Sequence, residues 1–181
     1  AGRAITTIAG LTERIGAITA GLRGFARKPT GAMRPEPIRG AIDGALLLLG
    51  HRLRQHGIAV AVEVEGEPAV RAERVRLEQI LVNLVQNAIE ALGERGDGRI
   101  AIAARAEGGR VRVAVRDNGP GLDAAVRAAL FMPFTTTKSA GLGLGLVISR
   151  QIAADLGGSL DAPATAPGEG AVFVLELEQA T

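Results

Sequence analysis

The sequence predicts a two-layer α/β (α+β) sandwich: a mixed, mostly antiparallel sheet covered on one face by helices. Three observations carry that expectation. Short runs alternate apolar and polar residues, as at Val60, Val62, Val64 and again at Val111, Val113, Val115, the period-two pattern of a half-buried strand. The stretch from Glu73 to Leu92 instead repeats its apolar residues every three and four positions, the period of a helix. Between two strand-like runs stands Glu107-Gly108-Gly109, which suits a hairpin and therefore neighbouring antiparallel strands. A sheet that is apolar on one face must bury it against apolar helical stripes, which gives one layer on one layer.

In chain order, Ile5, Ile8, Leu11, Ile15, Ile18, Leu22 and Phe25 alternate steps of three and four, a heptad-like seam on one helix over residues 1–30. Gly10, Gly16, Gly21 and Gly24 each cost about 1 kcal/mol relative to alanine in a helix. That helix needs a partner, either its own domain or the other members of a helical bundle. Pro29, Gly31, Pro35 and Pro37 then mark a linker over 31–37, and the main domain follows over 38–181. A helix is expected from about Glu36 to Gln55 and a strand over Ile58 to Glu65. The long helix Glu73 to Leu92 follows, then strands Arg99 to Ala106 and Arg110 to Arg116. An irregular stretch runs to Leu142, and a helix to about Leu156 is stopped by Gly157-Gly158. Strands near Ser159 to Ala162 and Ala171 to Glu178 finish the chain.

Composition narrows the function classes. At 181 residues the chain fits one domain of the usual 100 to 200 residues, roughly, with an appendage. It is 47% apolar with only four phenylalanines for aromatics, so aliphatic side chains must fill the core. A net charge of +2, with no basic run interleaved with aromatics, argues against nucleic acid. The absence of cysteine excludes disulfides and thiolate metal sites. No apolar run approaches the roughly 20 residues needed to cross a bilayer.

Chemistry could sit in four places. On the helix Gln79 to Glu90, Asn83 and Asn87 are one turn apart and Glu90 lies one turn further, so the three share a face. Asparagine is a mediocre helix former, and its neutral carbonyl oxygen is a good ligand for Mg2+ beside phosphates; the alternative is a solvated polar face. Second, the strand of Val111, Val113 and Val115 ends on Asp117-Asn118-Gly119-Pro120-Gly121. This could be simple turn chemistry. It could equally hold an aspartate that accepts from the exocyclic amine of adenine and rejects guanine, with Gly119 and Gly121 letting the backbone approach a flat base. Third, Phe131-Met132-Pro133-Phe134-Thr135-Thr136-Thr137-Lys138 sets hydroxyls and an ammonium after an apolar anchor of two phenylalanines. It reads either as a pinned loop or as a phosphate contact through Lys138. Fourth, Gly141-Leu142-Gly143-Leu144-Gly145-Leu146 opens a helix, where exposed N–H groups suit an anion. It matches neither the phosphate-binding P-loop nor the dinucleotide fingerprint.

Taken together, in this order and spacing, the motifs resemble the catalytic ATP-binding domain of sensor histidine kinases. That domain belongs to the superfamily of gyrases, heat-shock chaperones, histidine kinases and mismatch-repair ATPases. Asn83 through Asn87-Ala88 is similar to the family's asparagine box, and Asp117 to Gly121 to its first glycine box. Phe131 to Lys138 is similar to its phenylalanine box, Gly141 to Leu146 to its second glycine box, and Gly170 to Leu175 to its closing strand. The resemblance covers about Pro37 to the end. Its wording is nearest the dicarboxylate and nitrogen sensor kinases.

The resemblance implies a Bergerat-type fold that binds ATP and Mg2+. It implies Asn87 as metal ligand with Asn83 assisting, and Asn83, Asn87 and Lys138 as the catalytic set. Asp117 would read adenine, with Asn118, Gly119 and Gly121 around it. Thr136, Thr137, Lys138, Gly141, Leu142, Gly143, Leu144 and Gly145 would surround the phosphates, and Phe131 and Phe134 would anchor a lid, short here because only Ser139 and Ala140 separate Lys138 from Gly141. The implied reaction is transfer of the γ-phosphate to a histidine on a dimerisation domain, then to an aspartate of a response regulator, in a homodimer on the cytoplasmic side of a membrane-anchored sensor. Thr12-Glu13-Arg14 to Lys28 looks like the second helix of the dimerisation hairpin. Neither His51 nor His56 has the acidic residue and proline that follow a phosphorylatable histidine in the family, so the first hairpin helix is expected to lie outside this sequence. A serine kinase of the anti-sigma type, an ATP hydrolase of the same fold and an ATP-sensing interaction module remain as alternatives. The stretch Phe131 to Gly143 is expected to be the most mobile part of the nucleotide-free domain.

Overall fold

The computed structural model describes residues 32–135, 143–166 and 168–180. The heptad segment, the lid residues Thr136 to Leu142 and most of the stretch expected to be mobile lie outside them. The elements are β1 (Arg34–Pro37), α1 (Ile38–Gln55), β2 (Ala59–Val64), β3 (Ala69–Ala72), α2 (Arg74–Leu92) and β4 (Arg99–Glu107). Then follow β5 (Arg110–Asp117), α3 (Ala124–Ala129), α4 (Gly145–Asp155), β6 (Ser159–Asp161) and β7 (Val172–Glu178).

Five strands form the main sheet in the order β2-β4-β5-β7-β6. Only β2 and β4 pair in parallel; the other neighbours are antiparallel. The expected mixed, mostly antiparallel sheet is therefore present. A parallel pair needs a crossover rather than a hairpin, and the long α2 supplies it. Ile100, Ile102, Val111, Val113, Val115, Phe173, Leu175 and Leu177 are buried. They meet the buried stripes of α1 (Ile38, Ile42, Ala45, Leu49) and α2 (Leu77, Leu81, Leu84, Val85) in one core that is aliphatic but for Phe173. Alternate residues such as Arg112 and Arg116 face solvent, as period-two alternation requires.

Three expectations are corrected. Residues 34–37, taken for linker, form β1, which pairs antiparallel with β3 in a small second sheet from Arg34↔Ala72 to Pro37↔Ala69. Pro35 and Pro37 are tolerated because this two-stranded ribbon has free edges, where a missing N–H breaks no ladder. Pro37 at φ −63°, ψ 127° is extended, so α1 begins at Ile38 rather than Glu36. The stretch after Pro120, expected to be irregular, contains the short α3, whose first turn is capped by Asp123 accepting from the Val126 N–H at 2.7 Å. That cap was legible in principle, since aspartate ahead of Ala-Ala-Val is a helix-start signal.

Candidate functional site

The candidate residues lie on α2, at the end of β5 and at the start of α4. Along α2 the buried stripe Leu77, Ile80, Leu81, Leu84, Val85, Ala88, Ile89 leaves Asn83 and Asn87 half-buried at its border. Asn83 Nδ2 donates to Ser149 Oγ at 2.9 Å. Its Oδ1 lies against Gly145, so closely that a Cβ there would overlap it. The first turn of α4 is thus docked on Asn83, and only glycine permits that approach. The Asn87 amide nitrogen is buried one turn along. Arg76 near the start of α2 is ion-paired to Asp155 at the end of α4, so the two helices run antiparallel with polar ties at Asn83–Ser149 and Arg76–Asp155. Burial raises the Asp155 pKa, but the bonds from Gln151 and Arg76 outweigh it and leave the carboxyl below its ordinary value. The stabilisation from that tie is therefore present above the ordinary aspartate pKa and is lost as pH falls through the depressed one.

Asp117 closes β5 and is only 4% exposed. Its backbone N–H donates to the Ala171 carbonyl at 3.0 Å. Its Oδ1 accepts from Gly119 N–H at 2.8 Å and Ala171 N–H at 3.2 Å. Both bonds fall on one oxygen, which fixes the carboxylate plane and leaves Oδ2 as the second acceptor. Gly170 makes this possible: its φ is +74°, and a Cβ would strike the Asp117 carbonyl. Gly170→Ala should therefore cost more than about 1 kcal/mol of stability and lower the unfolding midpoint, because alanine disfavours positive φ and meets backbone there. Thermal denaturation checks it; an unchanged midpoint would show that β5 and β7 tolerate separation at this point.

Asn118 is placed differently from expectation. Its Oδ1 accepts from Arg99 N–H at 2.6 Å and its Nδ2 donates to the Asp97 carbonyl at 2.9 Å. Successive side chains at a strand end point to opposite sides, so Asp117 turns inward while Asn118 clamps the loop before β4. Gly119 and Gly121 lie beside Asp117 and Gly170 respectively, as a close backbone approach requires.

The phenylalanine pair divides. Phe131 is half-buried against the core, with the Arg150 guanidinium 4.5 Å from its ring centroid. Phe134 is 74% exposed with φ +62°, so the expectation that both rings anchor is corrected to Phe131 alone. Left-handed backbone at Phe134 turns its ring outward. Gly143, at φ +65°, sits where a Cβ would lie 2.5 Å from the Thr135 carbonyl oxygen, so its backbone lies directly against that of Thr135. Leu144 packs partly buried on the core. Thr136, Thr137, Lys138, Gly141 and Leu142 lie outside the described residues.

An open cleft of about 490 Å³ lies elsewhere, on the outer face of the sheet, lined by Arg112, Arg127, Phe131, Arg150, Asp161 and Glu176 among others. It shares only Phe131 with the residues singled out in the sequence and contains none of Asn83, Asn87 or Asp117, so the chemistry is not assigned to it. Among the described residues no group of three or more His, Cys, Asp or Glu side chains could hold a metal. The amide oxygens of Asn83 and Asn87, together with a ligand's own oxygens, are a hard donor set that would fit Mg2+. Sequence reasoning missed Ser149 and the Arg76–Asp155 tie. A serine within an apolar helical stripe was the available signal for the first.

The family described as histidine kinase-, DNA gyrase B- and HSP90-like ATPase matches residues 72–181. The C4-dicarboxylate transport sensor protein DctB of Rhizobium meliloti (strain 1021) is 44% identical over 176 residues, which cover 96% of this chain and 28% of that protein. The chain thus spans little more than a quarter of that curated relative. Full-length ShkA in complex with AMPPNP is similar at a TM-score of 0.78 with 31% identity, covering 94% of this chain and 36% of that one. Histidine kinase ThkA in complex with the response regulator TrrA is similar at a TM-score of 0.80 with 29% identity, covering 98% and 51%.

Proposed function

Because the chain belongs to the histidine kinase-, DNA gyrase B- and HSP90-like ATPase family, we propose that Asn83, Asn87, Asp117 and the first turn of α4 hold Mg-ATP and present its γ-phosphate to a histidine of a dimerisation domain. Relay to a response-regulator aspartate follows in the intact system. The observation that carries this reading is the Asp117 carboxylate, buried and pinned through one oxygen. A carboxylate is so deeply buried only at a cost unless its bonds offset it, and its second oxygen is an acceptor matched to the adenine amine. The nucleotide analogue bound by ShkA and the response regulator bound by ThkA support the same assignment.

Each residue has a task. Asp117 orients the base, and Gly119 and Gly121 keep side chains off its plane. Asn87 and, secondarily, Asn83 offer carbonyl oxygens to Mg2+, which when bound neutralises phosphate charge. Gly143, Leu144 and Gly145 bring backbone N–H groups at the start of α4 to the phosphates, with Lys138, Thr136, Thr137, Gly141 and Leu142 assigned beside them from their motif. Phe131, held by Arg150, anchors the base of the lid. The position one turn before Asn87 is Asn83, an amide that cannot take a proton from water, so transfer to an acceptor is favoured over hydrolysis. No helix among the described residues is long and apolar enough to cross a membrane. The domain is proposed to serve as the cytoplasmic catalytic part of a dimeric, membrane-anchored sensor.

Calorimetry with ADP and GDP tests the base assignment. ADP should bind and GDP should not, and Asp117→Asn should lose a charge-assisted bond worth roughly 1.5 to 3 kcal/mol. Equal affinity for both nucleotides would remove Asp117 from its role.

A further inference from the structure

Asp117 and Ser149 are the buried polar or charged residues among the described ones, and Ser149 is 1% exposed. It stands one turn into α4, and its Oγ receives the Nδ2–H of Asn83 at 2.9 Å. An asparagine amide has two chemically opposite ends of nearly the same shape, a donating NH2 and an accepting oxygen. Which end Asn83 turns to the first turn of α4 decides what it can offer there: an acceptor suits a cation, a donor suits a phosphate. The end lying against Gly145 is Oδ1.

We propose that Ser149 is a positioning residue that holds Asn83 oxygen-forward and so makes position 83 a partner of the metal rather than of the phosphates. This rests on the reading that the site holds a Mg-nucleotide. Ser149 Oγ accepts the Asn83 amide N–H, and with that bond made the amide oxygen is the end left against the first turn of α4. Packing enforces the choice as well, because Ser149 lies between Ile148 and the buried Ile152 and Ala153 of the same face and has no solvent to turn to.

The test is ADP binding by calorimetry, with Mg2+ and with chelator, for the wild-type chain, Ser149→Ala, Asn83→Ala and the double variant. Ser149→Ala should leave metal-free affinity nearly unchanged and cut the Mg2+-dependent gain roughly three- to tenfold, the worth of one neutral hydrogen bond. It should cost nothing further when Asn83 is already alanine. Ser149→Cys, similar in shape with a weak acceptor, should fall between, which guards against a folding defect in the alanine variant. A full Mg2+ gain in Ser149→Ala, or additive losses in the double variant, would overturn the assignment. If the wild-type chain bound ADP with no Mg2+ gain at all, the Mg-nucleotide reading would fall and this inference with it.

Discussion

Asn87→Ala should abolish magnesium-dependent phosphoryl transfer to a histidine-bearing acceptor while the domain stays folded. Removing partners that merely orient a metal's ligands typically costs about 10- to 100-fold, and Asn87 is assigned as a ligand itself, so the loss should exceed roughly 100-fold. Stability should barely move. Asn87 lies at the border of the apolar stripe, whose members Leu84, Val85, Ala88 and Ile89 are untouched, and alanine is the better helix former at an interior position. Asn83→Ala should impair transfer less but disturb structure more, since it also removes the bond to Ser149. Transfer assays with radiolabelled ATP, run beside thermal melts, separate the cases. An Asn87→Ala chain that melts early and transfers normally would show the asparagine to be structural.

The chain incubated alone with Mg-ATP should bind it yet gain no acid-labile phosphate. Transfer needs an imidazole nitrogen within about 3 to 3.5 Å of the γ-phosphorus, and the two histidines are placed so that neither is expected to reach it. His56 Nδ1 donates to the Gly93 carbonyl at 3.1 Å, which pins the ring at the C-terminus of α2. Gly93 is six residues past Asn87, about 9 Å along the axis. His51 is exposed on the side of α1 opposite the buried Ala45, Leu49 and Leu53, so it points out of the domain. A separate protein carrying a histidine-bearing helical hairpin should accept phosphate in trans, whereas a serine-bearing substrate should not. Acid-labile phosphate on the isolated chain, lost in His51→Gln, would show that the domain rearranges enough to bring α1 to its own nucleotide.

Much of this was legible in the chain. Val111, Val113 and Val115 announced β5 because alternation is a local property of a strand half in water. The spacing of Asn83 and Asn87 placed both on one face because helical period is local too. The four motifs named the candidate residues in chain order, and Asn83 does meet Gly145 at the start of α4. What was not legible depended on partners far away in sequence. Arg34 to Pro37 reads as a proline-broken linker until Ala69 to Ala72 arrives to pair with it. Asp117 and Asn118 are equally plausible ligands on paper, and only the positions of Ala171 and Arg99 turn one inward and the other toward β4. Two phenylalanines look like two anchors until the backbone at Phe134 goes left-handed. Ser149 was one more residue in a helix until α4 docked on α2. Local periodicity and motif spacing determined the elements, their order and the chemical inventory. Side-chain direction, amide orientation and strand partnership were decided by tertiary packing, because each turns on a bond to a residue tens of positions away that no local pattern encodes.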